Sequence, residues 1–173
     1  GRHFKVDAIF EETTTYLKEQ GATLVEIDQI EASGTGSNSF QVMLFEYKDG
    51  LNKYFASLGE NAPIKSVEEL ITFNEADSVE MSFYNQKYLE MAQEKESLDS
   101  EEYQVALRKL MLGSRENGID KVMDEHQLDA IIAPTGGPAW TTDHTNGDSF
   151  HVGSSSPAAH AGYPNITVPM GNI

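Results

Sequence analysis

The sequence LDAIIAPTGGPAW, residues 128–140, indicates most clearly how this chain folds. Its apolar run at 129–133 is closed by Pro134, a pattern that predicts a buried strand leading into a loop. In open α/β sheets, ligands bind at the carboxyl ends of the strands. The paired glycines that follow would let a ligand approach the backbone, and Trp140 would form an apolar pocket wall. A tight connection with a surface tryptophan explains the same residues equally well.

The sequence on either side alternates helical patterns with two more short apolar runs. Residues 23–27 and 166–168 predict strands, the second closed by Pro169. Apolar residues at steps of three and four predict helices over about 6–17, 40–58, 67–73, 78–96 and 100–123. The predicted class is therefore α/β and helix-rich. Because the three strands lie far apart in sequence, they would sit better in a larger sheet completed by residues outside this chain.

Some details of these helices can be predicted as well. Ser66-Val-Glu-Glu69 is a capping box, in which the serine oxygen accepts an N–H and the glutamate reaches back to the cap. Gly113 and Gly118 weaken the last long helix, each by ~1 kcal/mol relative to Ala. Phe83 is assigned to the apolar face of the helix at 78–96. The longest apolar stripe consists of Phe40, Met43, Leu44, Tyr47, Leu51, Tyr54, Phe55 and Leu58.

Composition excludes several classes of protein. The 173 residues suit one domain and can bury a core without covalent staples. The absence of cysteine excludes disulfides and thiolate chemistry. A net charge of −16 argues against nucleic-acid binding, which needs clustered Lys and Arg. No run is apolar enough for a membrane span. The first residue is Gly rather than Met, so we expect a piece of a longer protein.

The charge is unevenly distributed along the chain. Residues 1–128 hold all 12 Lys and Arg and every acid except Asp129, Asp143 and Asp148. Disordered tails are highly charged, whereas residues 129–173 are nearly uncharged and carry apolar runs. We therefore predict a charged helical layer over 1–128, with buried strands and pocket loops over 129–173, inside one partial domain.

The polar loop at 141–156 invites two catalytic hypotheses that its spacing does not support. Asp143, His144, Asp148 and His151 lack any recognised metal-ligand spacing, so neither a metal nor another cofactor is predicted. Residues 154–156 are serines close to His151 and Asp148, but the Gly-x-Ser-x-Gly elbow is absent. The default interpretation is a polar loop followed by a short helix with Ser156 as N-cap, Pro157 at the first position and Gly162 as the stop. His160 in that helix is expected to be packed or solvated.

Three pieces of sequence together resemble the amidase signature family. They are LDAIIAPTGGPAW at 128–140, TDHTNGDSF at 142–150 and GSSSPAAHAGYPNITVPMG at 153–171. These three segments are most similar to the peptide amidase branch of the family, alongside the A-subunit relatives of the glutamyl-tRNA amidotransferases. Upstream the resemblance is looser, with ELITFN at 69–74 as one example.

The resemblance implies an α/β/α hydrolase with helices around a mixed sheet. Such enzymes cleave amide C–N bonds with a serine nucleophile, a second serine in a cis peptide and a lysine. The Gly/Ser-rich signature that carries them does not match residues 34–37 or 153–156. We therefore expect a C-terminal portion with no catalytic residue of its own, which is inactive alone and requires the remainder of the parent chain. Its predicted substrate-binding residues are Thr135, Gly136, Gly137, Trp140, Asp143 and Ser155.

The expected substrate is a small-molecule amide or a C-terminally amidated peptide. Two alternatives stay open: an independent module that binds a small ligand or peptide, and an A-type subunit of a tRNA-dependent amidotransferase. The net charge of −16 weighs against the basic face that tRNA would need. The sequence does not fix a compartment, and a cytoplasmic location is the one we favour.

Overall fold

The structure, a computed structural model, describes residues 3–82 and 84–173, and its regular elements are helical. A 3₁₀ turn at Glu80–Ser82 precedes the helix at Lys87–Gln93, and a π-helical turn at Arg115–Ile119 joins the helix at Glu101–Ser114 to the one at Asp120–His126. Within the described ranges, the helices are too short or too polar to cross a membrane. The α-helices are α1 (Phe4–Glu19), α2 (Thr35–Ser57), α3 (Val67–Ala76), α4 (Lys87–Gln93), α5 (Glu101–Ser114), α6 (Asp120–His126) and α7 (Ser156–Ala161).

The chain divides into two compact units. Gly34–Leu110 forms one unit, which we call the helical unit. The residues up to Ser33 and Met111–Ile173 form the other, which we call the loop unit. Neither division coincides with the change in charge after residue 128. All predicted substrate-binding residues belong to the loop unit.

The core of the helical unit lies between α2 and α5. Val42 and Phe45 of α2 pack with Tyr103, Ala106 and Leu110 of α5, and the Phe45 and Tyr103 ring centroids are 5.5 Å apart. The prediction of a long apolar helix here is confirmed, but its buried face is rotated from the predicted stripe. Leu44 and Phe55 of the predicted stripe are buried, whereas Met43, Tyr47, Tyr54 and Leu58 are exposed.

The predicted capping box at the start of α3 has two hydrogen bonds, of which the serine bond is confirmed and the glutamate bond goes to a different residue. Ser66 Oγ accepts a 3.1 Å hydrogen bond from the Glu69 N–H, as a capping box requires. The Glu69 carboxylate, however, accepts from the N–H of Lys65 at 2.7 Å, one residue before the cap. Both contacts still satisfy backbone donors at the helix start.

The single helix predicted over 78–96 is wrong. Asp77 Oδ1 accepts from the N–H of Val79 at 2.9 Å, and Asn85 Oδ1 accepts from the N–H of Lys87 at 3.1 Å. Such short side-chain bonds to the backbone compete with helical hydrogen bonding, so only the 3₁₀ turn and α4 form. Phe83, which was assigned to this helix, lies outside the described residues.

The predicted strands at 23–27, 129–133 and 166–168 are corrected by the structure. Among the described residues no strand forms, and Gly136 and Gly153 make an isolated antiparallel bridge. The side chains expected to be buried in the last two segments are open: Ile132 is 47%, Ile166 85% and Val168 70% exposed. A strand requires a hydrogen-bonded neighbour, which these segments lack here. The mixed sheet and the burial predicted for 129–173 are therefore not features of this chain by itself.

The long helix predicted over 100–123 is interrupted by the π-helical turn. Gly118 there has φ −124° and ψ −115°, outside the helical region. A Cβ at Gly118 would lie 2.7 Å from the carbonyl oxygen of Gly113, closer than non-bonded contacts allow. The two glycines flagged as helix-weakening are therefore the two that contact each other at this turn.

Candidate functional site

The Gly-Gly turn after residue 135 is joined to the serine-rich segment by a backbone pairing. Gly136 pairs with Gly153 in an antiparallel bridge, so the residues between them form a loop whose two ends are adjacent. A Cβ built on Gly136 or Gly137 would meet no atom within 4 Å, and neither residue has a positive φ. The packing and backbone of the described chain thus do not require glycine at either position.

An aromatic pair lies within this loop. The Trp140 and Phe150 ring centroids are 6.4 Å apart in an edge-to-face arrangement, and the Trp140 N–H donates to Asp148 Oδ1 at 3.4 Å. Trp140 is 42% and Phe150 65% exposed. A Cβ at Gly153 would lie 2.5 Å from Phe150 Cζ, so the ring covers the backbone at Gly153. Sequence reasoning missed Phe150; aromatic content in a loop with few charges was the available signal.

Asp143 is held in a turn that it forms itself. Its Oδ1 accepts from the N–H groups of Thr145 at 2.8 Å and Asn146 at 2.9 Å. Its Oδ2 accepts from Asn146 Nδ2 at 2.8 Å. These bonds favour the ionised form, so the side-chain amide of Asn146 first, and then the two backbone N–H groups, lower the pKa of Asp143. Both carboxylate oxygens thus have partners within the loop.

Thr135 and Ser155 lie one and two residues in sequence from Gly136 and Gly153, the two residues of the bridge. Thr135 Oγ1 lies 3.4 Å from Thr167 Oγ1, which connects the Gly-Gly turn to the segment at 166–168. Ser155 is the N-cap of α7, and its carbonyl accepts from the N–H of Ala159 at 3.0 Å. The predicted cap at Ser156 is thus one residue late, whereas the predicted stop is confirmed, since Gly162 has φ +68°.

The far end of α7 is fixed by side chains that come from distant parts of the loop unit. Arg115 Nε donates to the carbonyl of Ala161 at 2.7 Å, and the Tyr163 hydroxyl donates to Asp120 Oδ1 at 2.7 Å. The bond to Asp120 is the main reason that the pKa of Tyr163 is raised. These contacts lay outside the reach of sequence reasoning because no local pattern marks them.

His160 also helps to hold α7. Its Nδ1 is 2.7 Å from Glu31 Oε1, and both side chains are about one-fifth exposed. The sequence prediction of a packed or solvated histidine did not identify this partner, which lies 129 positions away in the chain.

The structure gives no support to the metal or triad hypotheses. Within residues 3–82 and 84–173, no group of three or more His, Asp or Glu side chains could hold a metal ion. His151 Nε2 lies 3.1 Å from Ser149 Oγ, a serine outside the trio at 154–156. A cavity of about 230 Å³ in the helical unit, lined by Tyr47, Asn74 and Gln86 among others, contains none of the predicted site residues.

The arrangement suits binding better than bond making. It offers open glycine backbone, an exposed aromatic pair and a serine at a helix start, whereas Asp143 is engaged in its own turn. From Asp129 onward there is no Lys or Arg that would hold a substrate carboxylate. An uncharged ligand fits these features.

Comparison with known proteins gives a consistent picture, although no family model matches the chain. The chain is 32% identical over 162 residues to a probable amidase of Arabidopsis thaliana, which covers 90% of this chain and 28% of that protein. The chain thus spans less than a third of that relative.

Solved structures agree with the sequence comparison. A peptide amidase in complex with the competitive inhibitor chymostatin matches with a TM-score of 0.89 and 34% identity, over 99% of this chain and 35% of its own. The native peptide amidase from Stenotrophomonas maltophilia matches with a TM-score of 0.84 and 34% identity, over 96% and 33% respectively. The similarity covers both compact units of the chain and about a third of each solved enzyme.

Proposed function

We propose that this chain, which is similar to amidases over 90% or more of its length, belongs to the amidase family and is the C-terminal portion of a serine amidohydrolase. The substrate we propose is a small amide or a C-terminally amidated peptide. In this proposal the chain supplies walls of the substrate pocket and is inactive alone, while the serine nucleophile, its relay serine and the lysine lie outside it. The relatives' lengths support this, because the chain spans 28–35% of them.

The observation that carries the proposal is the open backbone at Gly136 and Gly137. A glycine is needed where φ is positive or where something approaches too closely for a Cβ. Neither φ is positive, and no described atom lies within 4 Å of either Cβ position. A substrate, or a neighbouring part of the parent enzyme, that approaches this turn would account for both glycines.

The remaining candidates take roles around that turn. Trp140 provides an apolar wall, and its N–H is already satisfied by Asp148, so the ring can contact substrate without leaving a polar group unpaired. Thr135 and Ser155 offer hydroxyls close in sequence to the bridged glycines, Gly136 and Gly153. Asp143 shapes the loop, since its carboxylate is occupied by its own turn.

Charge in this part of the chain favours an amide over a carboxylate. Residues 129–173 contain three Asp and no Lys or Arg. An amide group is neutral, whereas the acid formed from it is anionic at neutral pH and is repelled by nearby carboxylates. The pocket walls would therefore accept the substrate and release the product.

The proposed chemistry is acyl transfer. The serine oxygen of the remaining enzyme attacks the amide carbonyl, the C–N bond breaks, and the nitrogen leaves as ammonia or an amine after it takes a proton. Water then cleaves the acyl-enzyme ester and regenerates the serine hydroxyl. Backbone N–H groups that stabilise the oxyanion would supply the main electrostatic help.

The partner that this chain requires is the remainder of the parent protein. Ile132, Ile166 and Val168 expose their side chains in segments with strand-like composition. Covering apolar surface is worth roughly 25 cal/mol per Å², so these side chains would be stabilised by a neighbouring sheet. The same partner would bring the nucleophile to the Gly-Gly turn.

The test compares the complete protein with the 173-residue chain. Both are assayed for ammonia release from a C-terminally amidated dipeptide, and the free-acid dipeptide serves as the substrate blank. We expect the complete protein to release ammonia and the 173-residue chain to release none. The release should be lost when the serine nucleophile in the Gly/Ser-rich signature of the complete protein is changed to Ala. Release by the isolated chain would overturn the placement of the nucleophile. Binding of the amide by the complete protein without release would favour the binding-module alternative.

A further inference from the structure

The helix that carries Ser155 is too short to hold its own position. α7 has six residues, Ser156–Ala161, and helices this short are unstable in water without tertiary contacts. Its amino end carries the candidate residue Ser155, and its carboxyl end reaches Ala161, which is fully buried. The orientation of Ser155 therefore depends on what fixes the carboxyl end.

Arg115 makes two contacts there with different parts of its guanidinium group. Its Nε donates to the carbonyl of Ala161 at 2.7 Å, which satisfies an oxygen that the helix leaves unpaired. Its Cζ lies 5.4 Å from the centroid of the Tyr163 ring, within the range of a cation–π contact. A Cβ at Gly162 would lie 3.4 Å from Arg115 Nη2, so the approach of Arg115 does not itself require glycine; the φ of +68° at this position does favour it.

Arg115 is the first residue of the π-helical turn, and this turn packs against α7. Gly118 within the turn has a non-helical backbone. Turns of this kind occur frequently at functional sites.

We infer that Arg115 is a positioning residue for substrate binding, which acts through Ala161 and Tyr163 to fix the segment that presents Ser155. The inference rests on the proposed function for its catalytic consequence. A six-residue helix moves as one piece, since Ala159 N–H donates to the Ser155 carbonyl and Tyr163 N–H donates to that of Ala158. Displacement at Ala161 is thus transmitted to Ser155.

Two other contacts allow this role to be separated from folding. The His160–Glu31 and Tyr163–Asp120 hydrogen bonds, both 2.7 Å, remain when Arg115 is removed. The segment should therefore stay folded and attached, while the end of α7 at Ala161 is held less tightly. Lysine at 115 would keep the charge but would lose the planar group that bonds the carbonyl and stacks on the ring together.

The experiment uses four forms of the complete protein: the unchanged protein, Arg115→Ala, Arg115→Lys and Lys121→Ala. Lys121 is the matched control because it is an exposed cation of the same unit whose partner is Glu125, one helical turn away. Hydrogen exchange is measured at the amides of Ala159, Gly162 and Tyr163. KM and kcat are measured with the amidated dipeptide, and the melting temperature is recorded for each form.

We expect exchange in Arg115→Ala to be faster by about tenfold at those amides. KM should rise by about fivefold or more while kcat stays within about twofold, because binding is affected and the nucleophile is not. The exchange rates and KM of Arg115→Lys should lie between those of the unchanged protein and those of Arg115→Ala. Lys121→Ala should have the exchange rates and KM of the unchanged protein.

The outcomes separate this inference from the proposed function. If all forms lack amidase activity but exchange rises only in the Arg115 variants, the proposed function fails and the positioning of α7 stands. If the enzyme is active and Arg115→Ala has the KM and exchange rates of Lys121→Ala, the inference is overturned. A lower melting temperature with an unchanged KM would also overturn it, because Arg115 would then serve stability alone.

Discussion

The hydroxyl of Tyr103 on α5 donates a 2.8 Å hydrogen bond to Glu46 Oε1 on α2, at the edge of the core of the helical unit. Burial first, and then this bond and the charges of Glu46 and Asp49, raise the pKa of Tyr103 to about 12 from its ordinary value of 10.0. The bond therefore connects the packing of the two helices to the protonation of one side chain.

This relationship predicts how stability changes at alkaline pH. The folded state holds the Tyr103 proton more tightly than the unfolded state, so its contribution is full below pH 10.0 and is lost as the pH rises through about 12. Tyr103→Phe should cost about 1 kcal/mol at neutral pH. Urea unfolding at several alkaline pH values should show the two proteins converging. A constant difference across that range would contradict the prediction.

Asp143 should titrate below its ordinary pKa of 3.8, because its turn stabilises the ionised form. A lowered folded pKa means that the turn is stabilised above pH 3.8 and loses that stabilisation as the pH falls through the folded pKa. NMR shifts of the Thr145 and Asn146 amides against pH report it directly. Asn146→Ala removes the largest cause, so the Asp143 pKa should return toward 3.8. Identical midpoints in the two proteins would show that the side-chain amide has no role.

Trp140→Ala should change the kinetic constants of the complete enzyme by more than its loss of stability explains. If the ring is a pocket wall, KM or kcat for the amidated dipeptide should change by about tenfold while the melting temperature changes little. Trp140→Phe keeps an aromatic ring and loses the N–H bond to Asp148. Its KM and kcat should therefore lie between those of the unchanged enzyme and those of Trp140→Ala. Tyr16→Ala, an exposed aromatic on α1, is the control. Equal kinetic effects of the Trp140 and Tyr16 changes would remove Trp140 from the pocket.

Two glycine substitutions should change stability in opposite directions. Gly118→Ala places a Cβ 2.7 Å from the carbonyl oxygen of Gly113, in backbone outside the helical region. It should cost about 2 kcal/mol or more. Gly50→Ala, inside α2 with no atom within 4 Å of its Cβ position, should stabilise by about 0.5–1 kcal/mol. The urea midpoints of the two variants measure both changes in the free energy of unfolding. An unchanged midpoint in Gly118→Ala would mean that the π-helical turn relaxes freely to accommodate the Cβ.

The helices were largely predictable because their signals are local. The start of α3 follows from Ser66, whose hydroxyl bonds three residues ahead. The end of α7 follows from Gly162, which takes a positive φ more easily than other residues. The helix at 78–96 failed for a local reason too, since Asp77 and Asn85 bond to nearby backbone and stop it.

The strands were not predictable from composition, because pairing is a property of two segments. Residues 129–133 and 166–168 have the apolar, proline-ended pattern of buried strands, yet the described chain offers them no hydrogen-bonded neighbour. The same limit applies to the site. Trp140 and Gly136 were predicted from their own sequence neighbourhood and Ser155 from the resemblance to amidases, and all three stay predictions, whereas Phe150 was found only through its contact with Trp140.

The sequence by itself determined roughly where most helices lie, the nearly uncharged nature of residues 129–173 and the resemblance to amidases, because each of these depends on consecutive residues. Only the tertiary structure decided that Arg115 meets Ala161, that His160 meets Glu31 and that Gly136 meets Gly153. These pairs are 17 to 129 positions apart. The contact of Arg115 with Ala161 depends on how the π-helical turn packs against α7, and all three pairs depend on how separate segments pack, which consecutive residues do not specify.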